Sequence, residues 1–449
     1  MAIQQDEKIR FAGDVSIDKI EIISLNGFGQ DITNQVTGVE IYEDMFSPFI
    51  SGIIVLKETL DYINLFPLIG EEYVNIKIHT PSFTDKDSII DDQFVIYKVS
   101  NRIQTGDRNM AYELHFISRE SLVDINKKVS RAYEGKISDI VQDIVTSKPH
   151  GLESTKTLNI EETRNGSKFV SNYWSPIKNI NYVSETAQSP NGSPSYIFFE
   201  NRTGFNFVSL NNLYDKQIRQ NFTSDGFMRT INKDGSSDRD IEQEYKRIID
   251  ISIPVVYDYI ERSQLGMYAS KKISHDLVTK KYKVSNYDMR QDFDDYKHQN
   301  KYSAVSSSAI LRPSMLHINT NRHYGLFNGY KDATNQGTIQ QRLSLIKQAE
   351  STKVQITVPG RTDYTVGDRI TLKLNKFNAI KNTDLEEDII DNIFSGSYII
   401  SSINHVINRE KHECYMEIIK DSFIVDFNNG GVRWRSIPVS SKIDKILLN

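Results

Sequence analysis

The sequence predicts an α+β fold, mainly β, with two β-barrels, a small α+β module and a long insertion. Three observations predict it. Period-two alternation of apolar residues dominates both ends of the chain, helical spacing is concentrated in the middle, and one β pattern occurs twice. The first copy runs from Gly70-Glu71-Glu72-Tyr73-Val74-Asn75-Ile76-Lys77-Ile78 through Phe94-Val95-Ile96-Tyr97-Lys98-Val99 to Arg119-Glu120-Ser121-Leu122. The second runs from Gly367-Asp368-Arg369-Ile370-Thr371-Leu372-Lys373-Leu374 through Tyr398-Ile399-Ile400-Ser401-Ser402-Ile403 to Lys420-Asp421-Ser422-Phe423. Each is a turn glycine, an acidic residue, an alternating strand, further apolar strands and a basic-acidic-Ser-hydrophobic close. The match needs a one-residue gap after the glycine and a shorter last hairpin in the second copy. Chance likeness between two amphipathic meanders is the alternative. A true duplication would let three chains present six similar units, as a six-fold partner requires.

The elements follow in order. Residues 15–22 and 39–42 alternate at period two, Phe46-Ser47-Pro48 breaks the chain, and residues 51–56 read as a buried strand. Residues 61–65 read as one helical turn before Pro67. The first repeat copy completes a barrel over residues 1–125, its last hairpin turning at Thr105-Gly106-Asp107. At Tyr133 the period changes: Ile137, Ile140, Val141, Ile144 and Val145 share a helical face. A second helix starts at Trp174-Ser175-Pro176, with Ser175 as N-cap and Pro176 in the first turn. Tyr196-Ile197-Phe198-Phe199 and Phe205-Asn206-Phe207-Val208 then read as a hairpin. These elements make an α+β module over residues 126–244. Residues 245–259 return to alternation, with Ile249, Ile251, Ile253, Val255 and Tyr257 in phase. Residues 245–270 and 351–423 are therefore assigned to a second, split barrel. The polar stretch between them, with Tyr282, Tyr287, Tyr296, Tyr302 and Tyr324, reads as an insertion over 271–350 that belongs to the module and ends in a helix of Ile339, Leu343, Ile346 and Ala349.

Composition narrows the function. A chain of 449 residues should form two to four domains. With 38% hydrophobic and 25% charged residues it has a soluble globular composition. Its beginning lacks the apolar core of a signal peptide, and its apolar runs, such as Ile53-Ile54-Val55-Leu56, are strand-sized, so no stable membrane insertion is expected. The single cysteine, Cys414, excludes an internal disulfide framework. A net charge of −5 and a pI near 6.0 argue against gripping nucleic acid on a basic surface.

No motif carries catalysis. Gly27-Phe28-Gly29 lacks the third glycine of a dinucleotide loop, and Gly135-Lys136 lacks the upstream glycine of a phosphate loop, where Ser130 stands. His317 and His323 have no metal-spaced partners. His405, His412 and Cys414 would face one another across a hairpin turning near Arg409-Glu410. Three soft ligands there could hold zinc, but a structural site normally uses four, so an ordinary cross-strand group is the expectation. Asp91-Asp92 and Glu386-Glu387-Asp388 read as solvated turns rather than an acid/base pair. Asn165 and Asn191 fit a glycosylation pattern but read as loop residues without a signal peptide. The expectation is no catalytic site, no cofactor and no metal.

Several motifs together carry a family resemblance. Tyr133-Glu134-Gly135-Lys136-Ile137-Ser138-Asp139-Ile140, Trp174-Ser175-Pro176 and Tyr196-Ile197-Phe198-Phe199 resemble the hub proteins of phage tail baseplates. So do Leu265-Gly266-Met267-Tyr268-Ala269-Ser270, Val358-Pro359-Gly360, Val366-Gly367-Asp368 and Gly396-Ser397-Tyr398. The likeness is to the T4-type central hub, with more distant kinship to the late control protein of P2-like phages and the spike hub of type VI secretion. It runs from residue 17 to 423, but residues 276–335 and 424–449 do not align. The resemblance implies a structural virion protein of the tail baseplate, assembled in the host cytoplasm. It implies a homotrimer in which each chain has two tail-tube-like barrels, joining the six-fold tail tube, or a tube initiator, to the three-fold central spike. The helical module would form a cup on the spike side. The tape-measure protein and surrounding baseplate proteins are further partners, and DNA would pass through without specific binding. The competing class is a cell-surface glycan or peptidoglycan binding or degrading tail protein, its tyrosines stacking on sugars.

Residues 424–449 form a C-terminal arm beyond the Asn428-Asn429-Gly430-Gly431 joint. Trp434 between Arg433 and Arg435, with Ile437 and Leu447, is the candidate partner-binding set, because aromatic and arginine residues anchor interfaces. Folding back on its own barrel is the alternative.

Overall fold

The structure is a computed structural model that describes residues 8–59, 68–83, 85, 88–106, 109–224, 241–255, 258–276, 280–305, 313–320, 338–376 and 389–426. The fold is α+β and mainly β, as the alternation predicts.

The first unit contains β1 (Ser16–Ile23), β2 (Gly29–Asp31), β3 (Val36–Asp44), β4 (Ser51–Glu58), β5 (Tyr73–His79), β6 (Ile89–Gln104) and β7 (Met110–Ser118). Alternation sends Ile54 and Leu56 of β4, and Val74, Ile76 and Ile78 of β5, to one buried face. The strands lie in the order β3-β4-β7-β6-β5-β1-β2, all antiparallel. Ile20 and Ile22 of β1 share a core with Val39 and Ile41 of β3, so this sheet curls round one interior.

The module follows: β8 (Ala132–Lys136), β9 (Leu158–Ile160), β10 (Gly166–Val170), β11 (Tyr196–Asn201) and β12 (Gly204–Ser209), with helices Arg119–Asn126, Ile137–Thr146, Pro176–Ser184 and Leu210–Tyr214. Ser175 accepts the Lys178 amide at the N-cap and Pro176 opens the helix, as expected. The β11–β12 turn is tight. Gly204 has φ +127°, and a Cβ there would stand 2.1 Å from the Thr157 carbonyl oxygen. Every residue of β11 and β12 is buried. Tyr196, Phe198, Phe205 and Phe207 join the module core, while Ile197, Phe199 and Val208 join that of the second unit. The hairpin is thus wedged between two cores, and alternation decides which side chain serves which.

The second unit starts with β13 (Ile218–Thr223) and β14 (Asp250–Val255). The insertion then contributes β15 (Ala269–Asp276), β16 (Lys281–Asp288), β17 (Tyr302–Ser303) and β18 (Ser314–Thr320). The chain returns through β19 (Thr352–Pro359), β20 (Arg369–Lys373), β21 (Gly396–Asn408), β22 (His412–Lys420) and β23 (Ser422–Phe423). Here the order is β14-β19-β22-β21-β20-β13. In each unit the chain's first strand lies at one end, followed by its fourth, fifth, sixth, third and second, leaving aside β2, β23 and the strands of the insertion. The two orders therefore coincide. They differ in one pairing: β1 meets β5 antiparallel, whereas β13 meets β20 in parallel. The registers coincide too. Ile96 N–H donates to the Glu72 carbonyl at 2.8 Å, and Ile400 N–H to that of Asp368 at 3.0 Å. A bulge follows in both, between Ile96 and Lys98 and between Ile400 and Ser402.

Four details of the sequence reading change. Val95 pairs with Ile117 and Ile399 with Ile419, which makes Asp421, not Lys420, the counterpart of Arg119. A ladder fixes register; a four-residue likeness does not. β13, from the stretch assigned to the module, pairs with β20 of the second unit. Among the described residues of 245–259, strand is confined to Asp250–Val255, between helices Ile241–Tyr245 and Tyr259–Gln264, and Tyr257 lies outside the described residues. The insertion is more structured than its polarity suggests and takes in Met267, Tyr268 and the start of β15 at Ala269, from the stretch assigned to the second barrel: its sheet has the order β16-β15-β18, and Met267, Tyr268, Tyr287, Met289, Phe293 and Val305 form a core. It occupies the connection between β14 and β19, where the first unit has only the short β3–β4 turn.

Candidate assembly surface

The long strand β21 joins the two units. Its first part pairs with β20, from Leu372↔Gly396 to Arg369↔Ile399, and its second part pairs with β3, from Ser402↔Asp44 to Asn408↔Gly38. A continuous antiparallel run results, β14-β19-β22-β21-β3-β4-β7-β6. One face of this run covers the cores. The other carries Glu40, Asp44, Glu113, Asp250, Glu413 and Glu417, with Lys57, Lys98 and Lys353 among them. Polar side chains tie neighbouring strands across this face. Asn404 donates to Glu40 at 3.4 Å, Asn101 to Glu113 at 2.7 Å and Lys353 to Glu417 at 3.3 Å. Asp44 on β3 and Asp250 on β14 line one groove although three strands separate them, so the face is concave there.

Beneath the junction Glu43 is buried. Its carboxylate accepts from the Thr365 hydroxyl and from Val366 N–H at 3.1 Å, and burial pushes its pKa up to about 7. A second buried charge group seals the first unit to the module. Lys156 bridges Glu200 and, at 3.4 Å, Glu120, while Glu200 also accepts Ile50 N–H at 3.0 Å. Lys420 of the second repeat close is buried beneath Tyr398 and Phe423, donating to the Ile393 and Ser395 carbonyls, and burial lowers its pKa to about 7. Sequence reasoning passed over Glu43, Lys156, Glu200 and Lys420 as functional positions. Only Glu200, a lone charge after four apolar strand residues, left a signal.

The insertion is pinned to the end of the second unit. His298 Nδ1 lies 2.7 Å from Asp421, and Gln299 N–H donates to the same carboxylate at 3.1 Å. Asn300 N–H donates to Ser422 Oγ at 2.7 Å, and β17 pairs with β23. On the module side Arg342 donates to the carbonyls of Pro194 and Tyr196 at 2.8 and 2.9 Å.

The structure brings His405, His412 and Cys414 together, as the hairpin reading anticipates. His405 pairs with Cys414 across β21–β22. Its Nδ1 lies 3.0 Å from His412 Nε2 and 3.3 Å from Cys414 Sγ, which is 3.5 Å from His412 Nε2. All three are buried, and the His412 ring lies on Gly360, where a Cβ would stand 2.3 Å from it. Burial lowers the His405 pKa to about 3 and that of His412 well below the usual value, and pushes the Cys414 thiol up. The group is neutral at physiological pH. Its spacings are near the edge of a zinc tetrahedron, about 3.3 Å for ligands about 2.0 Å from the ion. Among the described residues, however, no fourth histidine, cysteine or carboxylate joins it.

The other sites are placed as follows. Gly27 is a turn residue with φ +81° between β1 and β2. Lys136 pairs with Glu162 immediately before the helix Ile137–Thr146. Asp91 and Asp92 lie on β6 opposite Lys77 and Ile76, rather than in a solvated turn. His317 lies on β18 opposite Ile273. His323, Glu386, Glu387, Asp388 and the partner-binding set Trp434, Arg433, Arg435, Ile437 and Leu447 lie outside the described residues. Among the described residues no helix is long and apolar enough to cross a membrane.

No family model matches the chain. A curated relative, the probable baseplate hub protein gp334 of Vibrio phage KVP40, is 22% identical over 431 residues, covering 91% of this chain and 95% of the relative. The chain resembles a phage baseplate hub protein. The likeness extends over nearly the full length of both. Among solved structures, the tail protein from Neisseria meningitidis MC58 matches with a TM-score of 0.52 at 9% identity, over 91% of this chain and 97% of that one. The 43 kDa tail protein of prophage MuSo2 from Shewanella oneidensis matches with a TM-score of 0.50 at 8% identity, over 90% and 98%. The fold is that of phage tail proteins.

Proposed function

We propose that this chain is a structural subunit of a phage tail baseplate hub, a homotrimer that adapts a six-fold tail tube to a three-fold spike. The carrying observation is that one chain holds two units of the same strand order, joined edge to edge in one sheet. Three such chains offer six similar edges to one partner and three modules to another. The relative's hub assignment and the tail-protein fold support the same reading. On it, residues 1–125 and the split second unit are tube-like barrels, and module and insertion face the spike. The concave acidic face lines a conduit that repels DNA phosphates, so DNA passes without being held. The tape-measure protein is a further partner. The role is non-enzymatic and needs no cofactor or metal. The arm bearing Trp434, Arg433, Arg435, Ile437 and Leu447 docks on a neighbouring subunit or ring. The virion tail is the site of action, after assembly in the host cytoplasm.

The test is assembly. Purified protein should have the mass of a trimer and co-assemble with the phage's tube and spike proteins. A monomer that joins neither would overturn the reading.

A further inference from the structure

The sheet of the insertion collects positive charge that nothing among the described residues balances. Side chains of β15 alternate between two faces, and each shares its face with the residue opposite it on β16. One face therefore carries Ser270, Lys272 and Ser274 of β15 with Tyr287, Ser285 and Lys283 of β16. Helix Ile339–Ala349 crosses this face. Ser344 Oγ donates to the Met267 carbonyl at 2.6 Å, and Gln340 Nε2 donates to Ser270 Oγ at 2.9 Å. From Ser344 back to Gln340 the helix thus advances along β15. Its N-terminus is directed at the next two pairs, Lys272↔Ser285 and Ser274↔Lys283.

Three sources of positive charge meet there. A helix N-terminus presents unbonded amides and roughly half an elementary charge. Here Thr338 gives it no side-chain cap, and its first turn holds no acidic residue. Lys272 is only 3% exposed, yet no hydrogen bond or ion pair holds it among the described residues. Lys283, diagonal to it across the strands, is exposed and equally unpaired. Burial and the Lys283 charge push the Lys272 pKa below the ordinary lysine value, with no carboxylate acting against them. Lysines on an edge strand such as β16 discourage stray pairing, but Lys272 lies on the central strand, where that role does not arise. A buried ammonium without a partner is costly, so its place beside a second lysine and a helix N-terminus calls for an anion.

We propose that Lys272, Lys283, Ser274, Ser285 and the N-terminal turn of helix Ile339–Ala349 form a phosphate-binding site. The oxygens of a dianionic phosphate accept from both ammonium groups, from the two serine hydroxyls and from the helix amides. Neither hydroxyl has another partner among the described residues. A carboxylate, flat and singly charged, would leave more of these donors unmet. The exposed Lys283 marks the open side of the site, so the phosphate can be a free ion or one carried on a lipid headgroup. The site stands on the sheet and helix of the insertion and does not depend on the hub reading.

Binding of inorganic phosphate to the full-length chain tests the site, by melting in millimolar phosphate or chloride at matched ionic strength and by calorimetric titration. General salt effects act on every variant alike. The parent should melt higher in phosphate. Lys272→Met keeps the bulk and removes the charge; Lys283→Met does so at an exposed position that the core does not need. Each should weaken phosphate binding roughly tenfold or more. Lys271→Met removes the same charge from the other face of β15 and should bind as the parent does. Co-sedimentation of the parent with vesicles containing phosphatidic acid, lost in Lys283→Met, would support the site and assign its phosphate to a lipid headgroup. Binding of inorganic phosphate without the vesicles would support it as a site for the free ion. A parent that binds neither overturns the site, as does binding that survives both Lys272→Met and Lys283→Met, which would be an adventitious ion only. Every one of these outcomes leaves the trimer test of the hub reading untouched.

Discussion

Glu43 is the most informative single residue. Its carboxyl is buried beneath the unit junction with a pKa of about 7, so the folded state holds the proton more tightly than the unfolded chain, where about 4.5 applies. A raised folded pKa contributes stability that is complete below the unfolded value and is lost as pH rises through the folded one. The contribution should fade between about pH 4.5 and 7, an effect of ~3 kcal/mol at most. Glu43→Gln keeps an acceptor for Thr365 and Val366 without a charge. Its denaturant midpoint should match that of the parent near pH 4 and exceed it above pH 7. If the two curves stay parallel across that range, the carboxyl is not buried as described. The neutral trio His405, His412 and Cys414 carries a second expectation. Purified protein should hold no stoichiometric zinc by elemental analysis, and zinc lost specifically in Cys414→Ser would refute it. Residue types and spacing made this trio legible in the sequence. Its burial was not, because it depends on Gly360 and Tyr364, which arrive from a different connection.

Elements differ in how far local chemistry specifies them. Ser175 and Pro176 start their helix by capping and by fixed φ, both near-neighbour effects. Ser175→Ala should cost about 1 kcal/mol in chemical denaturation. A cost near zero would show that the Lys178 amide finds another acceptor. The seam between first unit and module depends on distant partners. Lys156→Met would leave Glu200 and Glu120 buried beside each other without their cation. Loss of one partner of a buried pair is expensive, so a destabilisation of about 3 kcal/mol or more is expected. Wild-type stability in that variant would mean the group is solvated. Helices with one apolar face, such as Ile137–Thr146, were legible from period alone. The strand Asp250–Val255 was legible as a strand but not in extent, because alternation cannot reveal where a ladder partner ends.

At the scale of the molecule, truncation after Asn428 tests the arm of Trp434 and Arg433. The shortened chain should melt as the full one does yet assemble less well with its neighbours, as measured by co-sedimentation with tube and spike proteins. Misfolding, or assembly equal to that of the full chain, would remove the arm from the account. The sequence by itself determined the mainly β class, the capped helix start at Ser175, the central hairpin and the presence of a repeated pattern. Each of these depends on residues close together in the chain, whose periodicity and turn chemistry are local properties. Only the tertiary structure decided that β13 belongs with β20, that Asp421 rather than Lys420 is the counterpart of Arg119, and that β21 reaches across to β3. Backbone hydrogen bonding is indifferent to side-chain identity, so many pairings satisfy one strand. Which pairing wins depends on cores that several distant segments must fill together.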